Sequence, residues 1–77
     1  MKELFEMLQK EAEADKSKAI LSLNLLANHP SGIGDHSTKD FWENARHSLD
    51  LFCSAEERLH SIKELRKIIL NEGESNN

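Results

Sequence analysis

The sequence predicts an all-α protein: a long antiparallel helical hairpin that pairs with a second copy into a four-helix bundle or coiled-coil-like assembly. Three observations carry this expectation. Two long segments have no interior glycine or proline, and their apolar residues recur at helical spacing. One short stretch between them holds the only proline and two of the three glycines. The apolar residues also outnumber those that two helices alone would cover.

The first helix is expected over about residues 2–28. It is rich in good helix formers, and His29-Pro30 ends it because the residue before proline is pushed out of the α region. Phe5, Leu8, Ala12, Ala19, Leu23 and Leu26 share one face at steps of three, four or seven. Residues 29–36 form the connection. The second helix is expected from Ser37 to about Asn71. Ser37-Thr38-Lys39-Asp40 reads as a capping box. Asp40 and Glu43 suit the positive end of the helix dipole, and Lys63, Arg66 and Lys67 suit the other end. Phe41, Ala45, Phe52, Ala55, Leu59, Ile62 and Ile69 give its inner face. Gly73 is the expected stop, and residues 74–77 are a frayed tail. Residues 1–73 thus make one domain. The small residues Ala12, Ala19, Ala45 and Ala55 let the helices pack closely.

At 77 residues the chain can bury only a limited core. Its single cysteine, Cys53, offers no internal disulfide and fits a reducing compartment; a packed thiol on the flank of the second helix is its expected role. The start lacks a basic stretch followed by an apolar run, and no segment is long and apolar enough to span a bilayer. A cytoplasmic protein with no membrane partner is the expectation. The net charge of −4 argues against broad binding to nucleic acid.

Self-association follows from the helix lengths. If residue 28 lies beside residue 37, residue 4 lies beside residue 61, and the segment from Ile62 to Leu70 overhangs the first helix. That overhang carries Ile62, Leu65, Ile68 and Ile69. Leu21 and Leu25, on the far side of the first helix from Ala12, supply a matching apolar stripe. A second hairpin laid antiparallel would cover both. The charges agree in part with this arrangement: Glu3 and Glu6 would neighbour Lys63, Arg66 and Lys67, exposed pairs that add little stability but help fix orientation.

The connection offers the candidate partner-binding residues Ile33, Asp35 and His36, with Trp42 just beyond. Glycine-rich backbone exposes amide groups, the helix start adds a dipole, and tryptophan is a common anchor of interfaces. The plainer reading is a shaped turn with Ile33 and Trp42 covering the end of the core. Gly32-Ile33-Gly34 is no nucleotide fingerprint, because no strand precedes it and no third glycine follows in register.

No catalytic constellation is expected, and no metal or other cofactor. Glu57-Arg58-Leu59-His60 has the spacing of a di-iron bundle motif, but with Leu59 inward Glu57 points about 160° away. Asp15 is the nearest acidic residue on the first helix. Glu43, His47 and Asp50, continued by Ser54, Glu57, Ser61 and Glu64, read as a solvated stripe. Asp35-His36-Ser37 is adjacency in sequence and not triad geometry.

Residues 28–37, Asn-His-Pro-Ser-Gly-Ile-Gly-Asp-His-Ser, together with the leucine-rich segment before them and the charged helix after, resemble small helical proteins of T4-like bacteriophages and cyanophages. The resemblance implies a phage accessory protein in the infected cell and assigns no site residues. The leading functional expectation is therefore non-enzymatic: association with itself and with a bacterial host protein that it redirects. Two alternatives stand beside it. One is a nucleic-acid-associated module using Arg58, Lys63, Arg66 and Lys67. The other is a metal- or anion-binding bundle using His29, Asp35 and His36.

Overall fold

The computed structural model describes residues 2–28 and 37–71 and consists of two helices, α1 (Lys2–Asn28) and α2 (Ser37–Leu70). They run antiparallel. As α1 advances from Gln9 through Asp15 to Lys16, the α2 partner recedes from Arg66 through Arg58 to Glu56. The molecule is a rod of 59 × 19 × 16 Å. Its radius of gyration is 17.2 Å, against about 11–12 Å for a compact chain of this length.

The residues between the helices recur at alternating steps of three and four. On α1 they are Phe5, Gln9, Ala12, Lys16, Ala19, Leu23 and Leu26; on α2 they are Ala45, Ser48, Phe52, Ala55, Leu59, Ile62 and Arg66. Each of these is buried or half-buried. This is the heptad spacing of a coiled coil. Ala12, Ala19 and Ala55 have no exposed surface at all. A methyl group shields little backbone, so complete burial at these positions means that the helices approach closely there.

The expected axial register is corrected. Asp15 is level with Arg58 and Lys16 with Glu56. Ala12 then lies against the Leu59–Ile62 turn and Ala19 against the Phe52–Ala55 turn. The expected register would have set Ala12 beside Cys53 and Ala19 beside Arg46. The difference is about one heptad, roughly 11 Å at 1.5 Å per residue. Ile62–Leu70 therefore runs beside the start of α1 and does not overhang it. The part of α2 that projects is its first two turns, from Ser37 to about Glu43. Residues 28 and 37 need not lie side by side, because an eight-residue connection can reach about 26 Å.

The inner faces also differ in detail. Leu8 and Ile69 are exposed, whereas Ser48, absent from the expected face, is buried. Cys53 is exposed and not packed, because it sits on the side of α2 away from Ala55. Asn71, with φ 58°, adopts the left-handed conformation that ends helices, two residues before Gly73. The connection 29–36, the side chain of Ser37, Gly73 and the tail 74–77 lie outside the described residues. No described helix is long and apolar enough to cross a membrane.

Enlarging a seam alanine tests the close approach. Ala19→Leu is expected to lower stability by about 1–3 kcal/mol through overpacking. Ser17→Leu, on an exposed part of the same helix, should change it by less than about 0.5 kcal/mol. Urea denaturation followed by circular dichroism measures both.

Candidate interaction surface

The seam holds little. Its buried apolar residues are Phe5, Ala12, Ala19, Ala55 and Ile62, and among the described residues no large side chain is without exposed surface. Outside it, eleven large apolar residues are exposed among the described residues. Their positions are fixed by the helix on which each sits, so the surface is built by following each stripe.

One long side of the hairpin is marked by the Asp15–Arg58 pair. Arg58 Nη2 donates to Asp15 Oδ2 at 3.0 Å, and Arg58 Nε donates to Ser54 Oγ at 3.2 Å. Toward the chain termini this side opens into a mainly apolar groove of about 240 Å³ lined by Leu8, Glu11, Arg58, Ser61, Ile62 and Leu65. The opposite long side is marked by Lys16, whose Nζ lies 2.7 Å from Glu56 Oε2 and 5.9 Å from the centre of the Phe52 ring. Here the terminal half is polar. Glu6, Gln9, Lys10 and Arg66 line a groove of about 340 Å³, and Arg66 Nη1 donates to Gln9 Oε1 at 3.1 Å. The other half of this side is apolar. Ile20 lies one turn beyond Lys16, and Leu49 and Trp42 continue the Glu56 stripe in steps of seven; all three are exposed.

Of the residues the sequence singled out, Trp42 is 60% exposed, on the projecting first turns of α2. Ile33, Asp35 and His36 lie outside the described residues. Leu21 and Leu25 are exposed on α1, and Leu65, Ile68 and Ile69 on α2. Ile62 is corrected: it is only 8% exposed, because the register places it in the seam against Ala12, where it serves the chain's own core. Ile20 and Leu49 were missed, since each lies off the inner face of its helix. Their placement with Trp42 becomes visible only once the helices are paired.

The acidic and histidine stripe of α2, from Glu43 through His47, Asp50 and Glu57 to Glu64, faces solvent, as does His60. Asp15 is engaged by Arg58. Among the described residues no three of His, Cys, Asp and Glu come together as a metal ion would require. Of the basic residues at the end of α2, Lys63 is exposed and the other three have partners within the chain. Arg58 holds Asp15, Arg66 holds Gln9, and Lys67 lies 3.8 Å from Glu64. Glu6 shares a groove with Arg66.

Compared with known proteins, the chain matches no family model, no curated protein and no solved structure.

The half-buried Asp15–Arg58 pair ties the two helices together at mid-length. A double-mutant cycle with Asp15→Asn and Arg58→Gln is expected to give a coupling of about 0.5–1 kcal/mol at low salt, shrinking as salt is added. Thermal denaturation of the four proteins measures it.

Proposed function

We propose that this protein works without chemistry of its own, as a helical interaction module: a small bacteriophage accessory protein that binds and redirects a protein of the bacterial host. The observation that carries this reading is the distribution of apolar side chains. Among the described residues eleven large ones are exposed, while those buried in the seam are five, three of them alanines. Contiguous exposed apolar surface marks places where another molecule binds. The phage setting comes from the resemblance of the connecting segment and the helices around it.

The face assigned to the host partner is the apolar half of the Lys16–Glu56 side, formed by Ile20, Leu49 and Trp42. Trp42 is the natural anchor. It offers a large, amphipathic area at low conformational cost and stands on turns that α1 does not flank. The candidate loop residues Ile33, Asp35 and His36 precede it closely in the chain. Nucleic-acid binding through α2 is less favoured, because Arg58, Arg66 and Lys67 already have partners within the protein.

The test uses the full chain on a resin against bacterial lysate, beside a Trp42→Ala/Leu49→Ala variant whose helicity has been checked. One protein should be retained by the native chain and lost by the variant. Once purified, it should bind the native chain at least about tenfold more tightly, a difference of ~1.4 kcal/mol. Equal retention by both chains, or no saturable binding of the purified candidate, would overturn the reading.

A further inference from the structure

The side of α1 farthest from α2 is not built like the outer side of α2. Along α2, the outward heptad positions carry Asp40, Glu43, His47, Asp50, Ser54, Glu57, Ser61 and Glu64 before the single apolar residue Ile68, all exposed. That is the polar surface such positions have when they meet only water. The equivalent outward positions of α1 begin with Leu4 and Met7 and end with Leu21 and Leu25, equally exposed. Between them stand Glu11, Ala14 and Lys18. Leu4, Met7, Glu11, Ala14, Lys18, Leu21 and Leu25 are separated by alternating steps of three and four. This is a second complete heptad stripe on one helix, offset from the seam with α2.

The stripe reads alike from either end. Two apolar residues are followed by a charge, then Ala14, then the opposite charge, then two apolar residues. We propose that a second copy of the chain packs α1 against α1, antiparallel, about a two-fold axis passing close to Ala14. In that arrangement Leu4 and Met7 meet the partner's Leu21 and Leu25 at both ends. Glu11 comes within reach of the partner's Lys18 twice, once on each side of the axis. A two-fold interface requires such self-complementarity. A parallel pairing would set Glu11 over Glu11 and Lys18 over Lys18, so the charges select the antiparallel sense. The alanine at the centre allows close approach where the axis passes.

The stripe is long enough for this occupant: from Leu4 to Leu25 it runs about 32 Å along α1 at 1.5 Å per residue. The groove beside Leu8 and Leu65 borders the stripe and lies at the margin of the proposed contact. The Ile20–Leu49–Trp42 face lies on the other side of the hairpin. Self-pairing through α1 is thus independent of binding a host protein there, and either can fail without the other.

The test is sedimentation equilibrium of the full chain, native and substituted, with helicity checked by circular dichroism. The native chain should sediment at twice its 8.8 kDa. Leu21→Glu should raise the dissociation constant at least tenfold, and Ile68→Glu on the outer side of α2 should leave it within about twofold. Glu11→Lys should weaken the dimer, and adding Lys18→Glu should recover it. In a Cys53→Ser background, Ala14→Cys should form a disulfide-linked dimer on oxidation, and Met7→Cys should not. A native chain that is monomeric at every concentration measured overturns the proposal. So does a dimer that Ile68→Glu disrupts and Leu21→Glu does not, or one that cross-links efficiently through Met7→Cys.

Discussion

The close approach of the two helices along Ala12, Ala19 and Ala55 is the constraint on which the rest of the molecule depends. Small side chains let the backbones come together, and in doing so they leave little room for a core between them. Each alanine at the seam is also a position at which no leucine or isoleucine is sequestered. Phe5, Leu23, Leu26, Phe52, Leu59 and Ile62 fill the seam beside them, and eleven other large apolar residues among those described stand at flanking and outward positions, where they face solvent in a single copy. Close packing within the hairpin and surplus apolar surface outside it have one origin.

The seam is mixed in character, and its polar members give it a definite register. A heptad stripe of apolar residues fits its partner almost equally well after sliding by seven residues, since every residue returns to the same face. Asp15 with Arg58, Lys16 with Glu56 and Gln9 with Arg66 remove that degeneracy, because each pair has its mate at one level only. Partly exposed pairs of this kind contribute modestly to stability. Their larger effect is discrimination among alignments that apolar contacts alone would leave close in energy.

The same degeneracy explains how far the sequence could be read. The two helices, their separation and most of the inner faces follow from periodicity and from the proline and glycine punctuation. Axial alignment does not, because periodicity is blind to a shift of one heptad. The connection between the helices did not fix it either. Ile62, an inner-face residue in either register, therefore reads as part of an uncovered overhang from periodicity alone, whereas α1 covers it. Ser48, Lys16 and Arg66 were passed over for a related reason: a search for apolar residues skips polar side chains that sit at inner positions through their stems. The outer stripe of α1 was partly visible in Leu21 and Leu25. Leu4 and Met7 complete it only when the outward positions of the two helices are compared.

The distance along the chain between paired residues has a further consequence. The end of α1 and the start of α2 are separated by eight residues, whereas Gln9 and Arg66, 57 positions apart, meet only across nearly the whole sequence. Loop-closure entropy grows with that separation, so a hairpin of this kind zips from the connected end toward the termini once its first turns are paired. Opening runs the other way. Backbone amides near the termini should exchange with solvent through shallow, frequent fraying, while those around Ala19 and Ala55 exchange only when most of the zipper has come apart. The Leu4 and Met7 end of the outer stripe sits where the zipper opens first. A second copy clasping that end would act as a stop on the fraying, tying association to the slow end of the exchange spectrum.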